Sequence, residues 1–226
     1  MSVPSWLPRA QRVMERICLI VDFDGFQFRD QPFLVRELGF VAMDSDDCGL
    51  ESFDLSVVPL ADERDLSTVR YLRKCVHGLP YHPKFDERAR PLDYLDECLL
   101  ELYDRYRTDS RDLVAYKGGC CEKLKLEELN LPSVNLEVFG CPKFDHLVRV
   151  YGCDQSTTCD LHDPGLGGKI FHCSLAEVKA FKRWVSERLR EEEDLRQARQ
   201  DELEGWKVVG GRDKRKKTRR FVRTSL

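Results

Sequence analysis

The sequence predicts an α/β fold in which a mixed sheet is flanked by helices, and three observations predict it. Three short apolar runs, residues 17–28, 33–43 and 53–60, follow one another with polar or turn-forming residues between them, as buried strands do. Beyond them the apolar pattern alternates helix, strand, helix, strand, helix, an order that puts helices against a sheet. The 226 residues, 42% of them hydrophobic, suffice for one domain, or one domain plus an appendage, with a real core.

Each element has its own reason. The run ICLIVDFDGFQF opens with five consecutive apolar residues before Asp22 and Asp24 interrupt it. FLVRELGFVAM and FDLSVVPL complete an antiparallel set of three, with the polar DSDDCGLES as a connection. Residues 61–92 read as irregular, with three prolines and two histidines. Leu92, Leu95, Leu99, Leu100, Tyr103 and Tyr106 then recur at helical spacing behind Pro91, which opens the helix. LVAY (113–116) is a short buried strand, Gly118 and Gly119 turn the chain, and EKLKLEEL is a second helix. VNLEVFG (134–140) alternates as a strand, and 141–171 is loop-rich. A long amphipathic helix follows Cys173, with Leu175, Val178, Phe181, Trp184 and Val185 as its stripe and a solvated extension over 187–204. This is the element order of the ribonuclease H-like fold. The domain is placed at 17–190, after an N-terminal extension (1–16) and before a charged helix extension and tail (191–226).

Composition excludes several classes. No stretch nears the roughly 18 apolar residues of a membrane span, and the N-terminus lacks the apolar core of a secretory signal. The chain is therefore expected to be intracellular, nuclear or cytoplasmic, and its ten cysteines to be thiols or metal ligands. The net charge of −3 is unevenly spread: nine Lys and Arg against one acid make residues 206–226 +8 and leave −11 on the rest. Lys214, Arg215, Lys216, Lys217, Arg219 and Arg220 form a basic arm suited to nucleic-acid phosphates or nuclear import, or else simply solvated.

Three constellations could carry chemistry. Asp22 and Asp24 share one face of a strand, where they suit Mg²⁺ or Mn²⁺; the alternative is a strand ending at Val21 with DFDG as a turn. His172 precedes the last helix and Glu177 lies within it, a base for water and a possible metal ligand, or an ordinary helix start. Cys153, Cys159, His162 and Cys173 have the donors of a structural Zn²⁺ site, with Cys141 as the other candidate for the fourth position; a scatter of buried thiols is the alternative.

DFDGF, AYKGGCCEKLKL and HCSLAEVKAFKRWV resemble the three motifs of the DEDDh 3′→5′ exonucleases. The resemblance implies a two-metal nuclease acting on RNA or single-stranded DNA, with Asp22, Asp24, Glu122 and Glu177 holding Mg²⁺ or Mn²⁺ and His172 activating water. Asp24 stands where that family has Glu, and Glu122 and Glu177 stand where it has Asp. CDLH and the Cys of FHC resemble the Glu-Cys-His-Cys zinc site of the Maelstrom domain, a relative without the catalytic set whose Glu lies on the first strand, so the likeness adds an acid of that strand, Asp22 or Asp24, to Cys153 and Cys141 as the fourth ligand. That likeness implies a zinc-stabilised, inactive domain binding RNA or protein partners of a silencing pathway.

Overall fold

The computed structural model describes residues 7–29, 31–82, 88–151, 159, 161–162 and 172–211. Helix α1 (Leu7–Met14) leads into β1 (Ile17–Phe26), β2 (Leu34–Ala42) and β3 (Cys48–Asp54), and then α2 (Glu63–Cys75), β4 (Arg90–Pro91) and α3 (Tyr94–Tyr106). Next come β5 (Leu113–Tyr116), α4 (Cys120–Glu128), β6 (Ser133–Asn135), a 3₁₀ turn (Leu136–Phe139), α5 (Phe144–Tyr151) and α6 (Ser174–Gly211). The sheet runs β4-β3-β2-β1-β5-β6. β1, β2 and β3 form the antiparallel meander, and β5 and β6 run parallel to β1. This is the mixed sheet flanked by helices that the sequence predicts.

Alternation divides the chemistry of β1 and β2 between the two sheet faces. Leu19, Val21 and Phe23 join Leu38 and Phe40 in a core closed by Leu95, Leu99 and Leu102 of α3 and Leu126 of α4. The intervening positions, Asp22, Asp24, Glu37 and Gly39, belong to the opposite face. Asp22 pairs with Gly39 and Asp24 with Glu37 across the antiparallel ladder, so the Asp24 and Glu37 side chains project side by side. Register then shifts at Asp24/Gly25, leaving Arg36 as an extra residue of β2, a bulge beside the acids.

Gly39 admits α6 to this face. A Cβ there would fall 2.3 Å from the carbonyl carbon of Ser174 and 2.6 Å from the amide nitrogen of Leu175, so only glycine lets the helix start rest on the sheet. Past that point Val178, Phe181, Trp184 and Val185 are buried, the stripe expected of this helix.

Besides the unexpected α1 and β4, the elements differ from expectation in four places. The third strand lies over Cys48–Asp54 rather than 53–60, because polar CGLES pairs with β2 at Val41↔Cys48 through Glu37↔Ser52. Its burial is only partial, which hid it from a reading based on apolar runs. Helix α2 occupies a stretch read as irregular; Asp62 caps it by accepting from the amides of Arg64 and Asp65, and none of its residues is buried. Residues 136–139 of the expected fifth strand close into a 3₁₀ turn. Helix α5 forms within the expected loop. The chain divides into two compact units, Met1–Ser186 and Glu187–Leu226. In the second, the helix carries the ion pair Arg196–Glu193.

Candidate metal centre

Glu37, Cys159, His162 and Cys173 bring one ligand atom each to within 4.8 Å of one another. Four donors around a tetrahedral zinc, at bond lengths of about 2.0–2.3 Å, stand roughly 3.3–3.8 Å apart, and two sulfurs, one imidazole and one carboxylate form a zinc-type donor set. Glu37 is fully buried. Its Oε1 accepts the Ser174 amide at 2.8 Å, while Oε2 accepts from the Cys159 thiol at 3.2 Å and lies 3.2 Å from His162 Nε2. The Ser174 amide is one of the donors a helix leaves free at its N-terminus, so the carboxylate also caps α6.

His162 is presented by a second histidine. Its Nδ1 donates to the carbonyl of His77, turning Nε2 toward the cluster, the arrangement in which a backbone acceptor fixes a ligating imidazole. His77 is itself buried and fixed as the neutral Nε2–H tautomer: Nε2 donates to the Gly25 carbonyl at 3.0 Å and Nδ1 accepts from the Leu79 amide at 3.0 Å. Burial pushes its pKa down to about 4, against the Gly25 hydrogen bond that favours the charged form. The Val76 carbonyl accepts the amide of His172, so the segment after α2 touches both site histidines.

The donors of the cluster shift one another's protonation. The Cys173 thiol is pulled down to about 3 by a hydrogen bond from Cys159, with His162 assisting against burial. The same bond pushes Cys159 upward. Burial opposes charge on His162, but hydrogen bonds to Cys173 and Glu37 outweigh it and raise the imidazole to about 11.

Next to this cluster lie the acids. Asp22 and Asp24 on β1 are held far above the carboxylate range, first by burial and then by neighbouring charge: Glu177, Asp24, Glu122 and Glu37 act on Asp22, and Glu177 and Glu37 on Asp24. Glu122, in the first turn of α4, is raised by burial despite the amide of Phe23 bonding its Oε1 at 3.3 Å. Its Oε2 is buried without a hydrogen-bond partner among the described residues. Glu177, one turn into α6, bonds Nδ1 of His172 through Oε1. That bond raises the imidazole to about 9, although burial opposes it. His172 is the accessible member, with 47% of its side chain exposed against 11% for Glu177.

Glu177 thus acts electrostatically on Asp22, Asp24, Glu122 and His172 alike. Among the described residues, however, the group whose ligand atoms close within 4.8 Å is the one around Glu37. Cys141 is buried elsewhere, its thiol donating toward the Pro142 carbonyl at 3.7 Å, and does not join that group. Cys153 lies outside the described residues, as do Lys214, Arg215, Lys216, Lys217, Arg219 and Arg220. The acids also lie apart from a cavity of about 980 Å³ whose lining includes Phe23, Phe33, Val35, Leu92, Leu95 and Leu124.

Sequence reasoning missed Glu37 and His77. Arg36 and Glu37 do interrupt an otherwise apolar strand, a signal that marks a charge needing a partner. For His77 there was none, because its role depends on meeting His162 from 85 residues away. Among the described residues no helix is long and apolar enough to cross a membrane. No family model and no curated protein matches this chain. A search of solved structures finds similarity to an exonuclease domain of Mopeia virus, in a form fully depleted of manganese. Identity is 11% over 80% of this chain and 84% of that one, with a TM-score of 0.45.

Proposed function

We propose that this chain is a metal-dependent nuclease that trims RNA or single-stranded DNA from the 3′ end, braced by zinc at Glu37, Cys159, His162 and Cys173. One observation carries the reading: Asp22, Glu122 and Glu177 are buried with Asp24 half-buried beside them, and burial first, then the charge of neighbouring carboxylates, raises Asp22, Asp24 and Glu122. Uncompensated charge of this kind is too costly to keep unless protons or cations neutralise it. All donors are hard oxygens, and the unpartnered Glu122 Oε2 is a free ligand position, which suits Mg²⁺ or Mn²⁺.

Such ions, when bound, supply a nucleophilic hydroxide and stabilise the leaving oxygen. The chain does the rest. Asp22 and Asp24, fixed by β1, define where the scissile phosphate must lie. The Ser174 hydroxyl, 3.3 Å from Asp24 Oδ2, orients that carboxylate. His172, at the accessible rim, takes the proton of the attacking water. A base must be neutral, whereas the Glu177 bond holds His172 protonated at pH 7. Catalysis therefore requires Glu177 to release His172 as it turns to the acids. The basic arm, Lys214–Lys217 with Arg219 and Arg220, adds phosphate contacts.

A second reading is a zinc-braced domain that binds RNA or a silencing-pathway partner without turnover. It is favoured by the tighter closure of the Glu37 group and by the His172–Glu177 bond, which occupies both side chains. The test is digestion of 5′-labelled single-stranded RNA and DNA with Mg²⁺ or Mn²⁺. A ladder shortening from the 3′ end, lost in Asp22→Ala and Glu177→Ala, supports the nuclease. Absence of cleavage with about one zinc per chain supports the binding domain.

A further inference from the structure

We infer that Ser174 couples the two centres, so that zinc bound at Glu37, Cys159, His162 and Cys173 organises the acidic site and raises its affinity for a divalent cation. The inference rests on the two-centre reading above and adds a positioning role for a residue that reading uses only to orient Asp24.

Ser174 is fully buried and makes one hydrogen bond to each centre. Its amide donates to Glu37 Oε1 at 2.8 Å, and its hydroxyl donates to Asp24 Oδ2 at 3.3 Å. Glu37 and Asp24 are themselves cross-strand partners, so the serine closes a ring of three residues over the β1–β2 ladder. Its chain neighbours belong to the two centres in turn. Cys173 is in the sulfur cluster; His172 precedes it; and the amide of Glu177 donates to the Cys173 carbonyl at 2.9 Å as the first turn of α6 begins.

The consequence is mechanical. A cation joining Cys173 to Glu37 fixes the start of α6 against β2, where bare Gly39 receives the Ser174 carbonyl. With that start fixed, the hydroxyl holds Asp24 in one orientation, and Glu177 is carried on a turn that no longer frays. Without it, Cys159, His162 and Cys173 are joined by hydrogen bonds alone, and the α6 end that bears Glu177 is held by fewer bonds. Coupling of this type is reciprocal, so a divalent cation at the acids also slows zinc loss.

Manganese binding to the zinc-loaded full chain, followed by the loss of the free-ion electron paramagnetic resonance signal, tests this. Zinc content and melting temperature are read on the same samples. Ser174→Ala keeps the backbone donor to Glu37, so it retains one zinc and binds Mn²⁺ about tenfold more weakly than wild type, a coupling of ordinary size. Wild type stripped of zinc shows a similar loss. Unchanged Mn²⁺ affinity in Ser174→Ala overturns the coupling, and so does loss of its zinc, which would make Ser174 a structural residue of the cluster. If zinc-loaded wild type binds no Mn²⁺ at all, the two-metal reading itself fails. That outcome is separate from a wild type that binds Mn²⁺ equally with and without zinc, which removes only the coupling.

Discussion

Asp22 shows how a residue can weaken a fold and still belong there. Its folded pKa lies well above 3.8 because burial and four neighbouring carboxylates disfavour its charge. The stability linked to its proton is thus present below about pH 4 and is lost as pH rises through the folded pKa. At neutral pH without divalent metal, Asp22→Asn should therefore melt higher than wild type, by roughly 2–6 °C for about 1–2 kcal/mol. Mn²⁺ should raise the melting temperature of wild type only, as a ligand of the folded state does. A thermal melt of the two proteins with and without Mn²⁺ checks both signs. His77 has the opposite sign. Its folded pKa of about 4 lies below the ordinary 6.5, so the unfolded chain protonates first. Stability falls as pH drops from about 6.5 to 4, by about 3 kcal/mol at most. An NMR titration should find this ring neutral down to about pH 4; a midpoint near 6.5 would contradict the Gly25 and Leu79 bonds. The placement of Asp22 and Asp24 on β1, and of His172 and Glu177 at the start of α6, was legible from local spacing. Glu37 was not, because its role comes from pairing across two strands with Asp24.

Elements were readable where a strong apolar period marked them. β1, β2, α3, β5 and the start of α6 all bury continuous runs or stripes. Helix α2 only half-buries Val69 and Leu72 and is marked by its cap, with Asp62 accepting from Arg64 and Asp65 and the Asp65 carboxylate accepting from Ala61 at 2.8 Å. This reciprocal pattern is a start signal independent of hydrophobicity. The interface most exposed to failure is that of α6 on β2. Gly39→Ala places a methyl within 2.4 Å of the Ser174 carbonyl oxygen, a contact that backbone cannot relieve as a side chain would. The variant should lose about 3 kcal/mol or more of stability and release zinc, read by denaturant melts and metal analysis. A fully stable, zinc-loaded Gly39→Ala would show that α6 does not depend on this contact.

For the molecule as a whole, sheet order and strand direction place the acids and the Glu37 cluster next to one another. Topology was legible because each crossover follows from element order, whereas the metal cluster draws on β2, two loop residues and the residue before α6, which no local pattern joins. The charge asymmetry of the sequence belongs to this scale. If the basic arm contacts single-stranded nucleic acid, replacing Lys214, Arg215, Lys216, Lys217, Arg219 and Arg220 by Ala should make the slope of log affinity against log salt shallower by about 4. An unchanged slope would leave the arm with no part in binding. The proposed function puts two cation sites on one sheet face, meeting at Asp24 and Glu37. Anomalous diffraction from crystals grown with Zn²⁺ and Mn²⁺, recorded at both absorption edges, tests it most directly. A zinc peak amid Glu37, Cys159, His162 and Cys173 with a manganese peak against Asp22 and Asp24 is the expected result. Zinc without any manganese density at Asp22 and Asp24 would contradict it.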